Sequence, residues 1–149
     1  MRGAAGALAA LVLLAGCGTP TSTTVTIGEQ TFTVEVADTP DAQRAGLSDR
    51  DDVPTGTGML FPFEEPGPRE VWMARTRVPL DIAWILDGQV LAVKTLPPCE
   101  LDAVTNCPTY PSPGDVDTLL EVRAGELAGV SICAEFEVEP GVTYELGRP

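Results

Sequence analysis

The stretch LDIAWILDGQVLAVKTL, running from Leu80 to Leu96, decides the fold. Side chains alternate sides along an extended chain, so Leu80, Ile82, Trp84 and Leu86 share one face. Asp87-Gly88 follows directly. A two-residue type I′ turn needs positive φ at both central positions, and Asp-Gly meets that need at little cost. Val90 to Leu96 therefore returns antiparallel. Upstream, Met59 to Phe63 and Val71 to Ala74 read as two more strands, joined by a loop containing Pro66, Gly67 and Pro68. Downstream, 97–117 holds two cysteines and five prolines and reads as a long excursion. Leu119 to Arg123 resumes as strand, Ala124 to Gly129 as a short turn or helical corner, and Ile132 to Glu139 as the last strand. In that strand Ile132, Ala134, Phe136 and Val138 face inward, and Cys133, Glu135, Glu137 and Glu139 outward.

Before Met59, Val25 and Ile27 alternate with threonine, Gly28-Glu29 supplies a turn, and Phe32, Val34 and Val36 share a face. Thr39-Pro40-Asp41 has the form of a helix start, with Thr39 as N-cap and Pro40 first in the helix, and Gly46 ends it. Many short strands and one short helix make a mainly β fold, a compact antiparallel barrel or sandwich.

The first residues are an address. Ala4 to Ala15 is apolar, too short for a permanent membrane span but suited to the central region of a secretory signal. It ends in Leu14-Ala15-Gly16-Cys17, which resembles the bacterial lipobox, whose cysteine is acylated on its thiol and becomes the new N-terminus. The expected organisation is a lipoprotein signal peptide over 1–16, a lipidated Cys17 and flexible tether over 17–24, and one β-rich domain over 25–149. Multiple acyl chains make a stable anchor, so the expected location is the cell membrane, lipid-anchored on the extracytoplasmic side.

Composition narrows the chemistry. The chain of 149 residues carries a formal charge of −13, one unit more acidic once Arg2 leaves with the signal, which makes nucleic acid a poor partner. There is no histidine. Ser-His and Cys-His nucleophile pairs and histidine-ligated metal sites are thereby excluded. Lys94 is the single lysine. Asp49-Arg50-Asp51-Asp52 fails the calcium-loop spacing at Val53 and lacks the twelfth-position glutamate, so it reads as a solvated acidic turn. No metal or cofactor is expected.

The segment Gly58 to Leu86 concentrates the large side chains: Trp72, Trp84, Phe61, Phe63, Met59 and Met73. Trp72-Met73 leads through Arg75-Thr76-Arg77 to Pro79-Leu80-Asp81, which is the composition of a lined cleft and equally of a core with a polar rim. With these motifs placed, the chain from about Phe32 to Glu139 resembles the family called domain of unknown function 192, small bacterial and archaeal proteins that are often exported. The residues that carry the resemblance are Glu35-Val36-Ala37, Arg44-Ala45-Gly46-Leu47, Gly58-Met59-Leu60-Phe61-Pro62-Phe63, Trp72-Met73 with Thr76, Pro79-Leu80-Asp81-Ile82, Leu120-Glu121-Val122 and Ala124-Gly125. The resemblance implies a mostly antiparallel β fold and no established reaction. This chain departs from the family pattern at Ser48, where a methionine is usual, and near Cys133-Ala134, where Gly-Asp is usual. The family's Pro-Cys and Cys-Pro-x-Tyr pattern matches Pro98-Cys99 and Cys107-Pro108-Thr109-Tyr110. It implies a Cys99–Cys107 disulfide closing a short loop, with Cys133 left over.

Two function classes stay open. A binding or accessory module would use a cleft around Trp72, Thr76 and Asp81, its charge set by Arg44 and Glu121, to hold a small molecule, an envelope polymer or a protein. A carboxylate-dependent envelope hydrolase would need Asp81 and Glu121, with Glu35 as a third carboxylate, in one pocket. Asp81 also reads as an ion-paired turn residue, Trp72 as core, and Glu121 as the structural partner of an arginine such as Arg44.

Overall fold

A computed structural model describes residues 21–99, 101 and 104–140. The expected signal peptide and lipidated Cys17 lie outside the described residues. Seven strands form one curled half-barrel sheet with a single short α-helix among the described residues. In chain order these are β1 (Ser22–Ile27), β2 (Gln30–Val36), α1 (Pro40–Ala45), β3 (Thr57–Trp72), β4 (Leu80–Leu86), β5 (Gln89–Leu96), β6 (Thr109–Arg123) and β7 (Phe136–Val138). Their order across the sheet is β5-β4-β6-β3-β2-β1-β7.

The β4–β5 hairpin forms as read, with Asp87 at φ 50° and Gly88 at φ 72°. Helix α1 also begins and ends as read. The Thr39 hydroxyl accepts from the Ala42 amide at 3.2 Å, Pro40 opens the helix, and Gly46 closes it at φ 48°. Not every pairing is antiparallel. Strand β2 runs parallel to β3, because the chain crosses over through α1 before entering β3.

Three boundaries differ from the sequence reading. Ser22 to Thr24, taken as the end of the tether, are paired in β1. The supposed loop between Phe63 and Val71 and the 109–117 part of the 97–117 excursion are strand: β3 and β6 form one long antiparallel ribbon. Prolines obscure it in sequence because they normally interrupt a ladder, but here the register shifts between Pro62 and Gly67 and again between Pro68 and Glu70. Such irregularities are where strands tolerate proline. The last strand is shorter than expected, only Phe136–Val138. Before it the chain turns through Ser131 to Cys133, and Cys133 has φ 66° while Ile132 is 70% exposed rather than inward. A left-handed residue breaks strand alternation, and this is where the resembled family tends to have glycine.

Strand β4, between β5 and β6, is buried on both faces, and a core lies on each. Leu80, Ile82 and Trp84 pack with Leu47, Met59, Phe61, Met73 and Leu119 beneath α1 and the loop after it. Ala83 and Ile85 pack on the other face with Val25, Phe32, Leu60, Leu120, Val122 and Leu127. Cys99 and Cys107 are disulfide-bonded and Cys133 is free and exposed.

Candidate functional site

A cavity of about 700 Å³ opens on the first of these faces, between α1, the 46–49 loop, β3, the 74–76 segment and the end of β6. Its apolar walls come from Phe61, Phe63, Val71 and Leu119, and Trp72, 49% exposed, stands at its edge. Trp72 is thus a surface ring and not core. Thr76 lines the cavity and is itself buried.

Glu121 contributes a carboxyl to the same space. In β6 it lies opposite Met59 of β3 and Ile82 of β4, and strand alternation turns its side chain to the cavity face with Leu119. It is 8% exposed. Burial away from water pushes its carboxyl up to about 8, with no arginine or hydrogen bond opposing the shift. Gly58 makes room for this arrangement. A Cβ at residue 58 would lie 2.1 Å from the Glu121 carbonyl oxygen and 2.9 Å from Val122 Cγ1.

The arginines around the rim are occupied. Arg44 pairs with Asp41 at 2.6 Å one helical turn away, not with Glu121. Arg75 pairs with Asp49, and its hydrogen bond holds the Asp49 carboxyl below the usual carboxylate range. Arg69 lies 4.3 Å over the Phe63 ring and donates to the Glu65 carbonyl at 2.8 Å. The acidic turn is solvated as read, with Asp49, Asp51 and Asp52 exposed, and it also carries a seam of ion pairs: Asp51 meets Arg77, Asp52 meets Arg123 at 2.9 Å, and Arg50 grips Glu35 in a two-pronged contact at 2.6 and 2.7 Å. The Arg50 hydrogen bonds hold the Glu35 carboxyl below its ordinary range. The seam ties the loop after α1 to the 75–77 segment and so fixes one wall of the cavity.

Asp81 is elsewhere. It is 2% exposed and belongs to the opposite face of β4, beside Ala83 and Ile85, not to the cavity lining. Its carboxylate accepts from the Thr95 hydroxyl at 2.6 Å and from the amides of Gly125 and Leu127 at 2.8 and 3.0 Å. It holds the turn after β6 against the sheet. Of the five residues picked from sequence for a cleft, Trp72, Thr76, Arg44 and Glu121 come together and Asp81 does not. A hydrolase using Asp81 and Glu121 has no shared pocket, because a sheet stands between the two carboxyls.

Sequence reasoning missed Arg69, Phe63, Ser48 and the Asp49–Arg75 pair as cavity residues. The signal for Ser48 was its departure from the family pattern: its hydroxyl donates to the Ala74 carbonyl at 3.2 Å across the cavity wall. Nothing local in sequence joins Asp49 to Arg75, since the pair depends on how the two loops fold together.

The family model described as Uncharacterized ACR, domain of unknown function 192, matches residues 23–140. The chain belongs to this family. Among solved structures, the chain is similar to a protein from Sinorhizobium meliloti 1021 named as a candidate transcription regulator. The two are 28% identical with a TM-score of 0.70, over 83% of this chain and 98% of that one. A protein of unknown function from Novosphingobium aromaticivorans DSM 12444 has the same fold at 24% identity and a TM-score of 0.70, over 87% of this chain and 99% of the other. No curated protein matches. The domain of unknown function 192 motifs fall on both sides of the cavity: Arg44 to Leu47 along α1 and its end, Gly58 to Phe63 and Trp72 along β3, and Glu121 on β6.

Proposed function

We propose that this protein is a membrane-tethered, extracytoplasmic lipoprotein whose domain is a binding or accessory module, and that the cavity beside Trp72 is its ligand site. The supporting observation is the meeting of a half-exposed tryptophan with a nearly sealed, unpartnered carboxyl in one concave space. Packing alone explains neither. An aromatic ring at a cavity edge gains stability once a ligand covers it, and a buried carboxyl without a partner costs free energy that a bound group can offset. The tether rests on Leu14-Ala15-Gly16-Cys17 and the apolar run before it.

The regulator name of the Sinorhizobium relative does not fit nucleic-acid binding by this chain. A formal charge of −13 opposes approach to phosphates, and the described arginines are engaged by acids or carbonyls. A small molecule or a soluble fragment of an envelope polymer fits the space better.

Titration of the full chain with soluble peptidoglycan fragments and a metabolite library, read by indole fluorescence, tests this. A saturable change is expected, and Trp72→Ala should abolish it because Trp84 is sealed in the core at 3% exposure. Binding that survives Trp72→Ala and Glu121→Gln together would place the ligand site somewhere else.

A further inference from the structure

The charges around the cavity limit what its occupant can be. Arg44, Arg69 and Arg75 line it: Arg44 is paired with Asp41 and Arg75 with Asp49, while Arg69 lies over the Phe63 ring and donates to backbone carbonyls with no acid beside it. Elsewhere among the described residues Arg50, Arg77 and Arg123 are ion-paired, and Lys94 stands over Tyr110 at 5.1 Å. Of the three lining arginines, only Arg69 would meet an anionic ligand without breaking an ion pair, through a buried Nε that has no hydrogen-bond partner. The unmatched acid is Glu121, at 8% exposure with no hydrogen-bond partner among the described residues. The Arg69–Phe63 contact shows that aromatic rings in this space take a cation on their faces. The net charge of the whole molecule also draws cations inward.

We propose that the occupant is an organic cation, a slender chain ending in a primary ammonium, with the Glu121 carboxylate as its counter-charge and the Trp72 ring against the chain. This rests on the reading of the cavity as a binding cleft and names the chemistry that cleft selects. An ammonium beside Glu121 supplies donors to a carboxylate that has none, and the walls formed by Phe61 and Leu119 suit the methylenes behind it. Binding is coupled to ionisation. In the empty cavity the Glu121 carboxyl holds its proton to about pH 8, so the cation must displace that proton. The charged groups around it are Asp41 and Arg44 from α1, Asp49 from the loop after it, Arg69 and Glu70 from β3, and Arg75 from the segment beyond. No histidine is present to titrate in the same window.

The test uses the full chain with hexylammonium, hexanol and hexanoate as probes, followed by amide and indole NMR shifts. Hexylammonium should perturb Trp72 and the amides of 44–48 and 119–121 and bind at least tenfold tighter than either isostere. Its apparent affinity should rise about tenfold from pH 6 to pH 7 and level off above pH 8, following the fraction of ionised Glu121. Glu121→Gln should remove both the preference and the pH dependence. Trp72→Ala, at a surface position, should weaken binding while leaving the pH dependence in place. A capped lysine amide compared with 1,6-diaminohexane then tells a peptide-borne amine from a free one. If hexanol binds in the cavity as well as hexylammonium, the cation inference falls and the cleft stands. If no probe moves the cavity resonances, the cleft reading falls with it.

Discussion

Glu121 and Asp81 are two buried carboxyls on neighbouring strands, and their surroundings give them opposite roles. Asp81 is met by two amides and a hydroxyl, so its burial is compensated. Replacing it with alanine leaves those donors without an acceptor and should cost about 3 kcal/mol or more in chemical denaturation. Asp81→Asn should cost only about 1 kcal/mol, because an amide oxygen can keep both N–H bonds while its NH₂ turns to the Thr95 hydroxyl. Equal losses in the two variants would mean that the hydrogen bonds are not what Asp81 contributes. Glu121 has no such compensation. Its carboxyl is pushed up to about 8 from an ordinary value of 4.5, so between those values the folded state holds a proton that the unfolded state has lost. Stability therefore falls as pH rises through this window, by on the order of 1 kcal/mol per pH unit, and the loss is complete above pH 8. Glu121→Gln removes the titrating group. It should match the parent near pH 4.5 and exceed it by a margin that grows to pH 8, measured by urea unfolding across that range. A margin that shrinks toward pH 8 would mean Glu121 is ionised and paired in the fold. Sequence showed that Glu121 sits between apolar neighbours and that Asp81 precedes a strong strand. It could not show that one meets a turn and the other a cavity, because that depends on which face of the sheet each occupies.

Elements were legible wherever one local rule dominated. The Asp87-Gly88 turn, the Thr39-Pro40 helix start and the alternation of Phe32, Val34 and Val36 each follow from the sequence within a few residues, and each is present. The β3–β6 ribbon was not legible, since its prolines read as breaks and only the partner strand reveals the irregular register that accommodates them. The parallel β2–β3 pairing was hidden for a related reason: it is fixed by the route of α1 over the sheet rather than by any residue in either strand. Gly58 is where these two pairings meet. It lies opposite Val34 on one side and Val122 on the other, and the Glu121 carbonyl fills the place of its missing side chain. Gly58→Ala should force β3 away from β6, destabilising the domain by about 3 kcal/mol or more and opening the cavity floor. The clash is with backbone, so no rotamer change relieves it. A variant that unfolds within 1 kcal/mol of the parent would show that the ribbon can shift in register.

At the scale of the molecule, the β domain and the proposed lipid anchor make opposite demands on a membrane. The acidic surplus, with a formal charge of −13, is repelled by anionic lipid headgroups, and Arg44, Arg50, Arg75, Arg77 and Arg123, which would offset it, are paired with acids. No helix among the described residues is long and apolar enough to cross a membrane. On the proposed reading, retention at the membrane then rests on acylation of Cys17 alone, with no polybasic surface in the described domain to share the load. Cys17→Ala should abolish incorporation of labelled fatty acid. Any chain cleaved from its signal should move wholly to the soluble fraction, as completely at low salt as at high. A cleaved Cys17→Ala chain that stays with membranes and is released by salt would mean that the domain has an electrostatic attachment of its own. One that stays and resists salt would point to an apolar surface docked on a membrane protein. Release at every ionic strength is the outcome consistent with a tethered domain whose opening beside Trp72 is left free for a ligand.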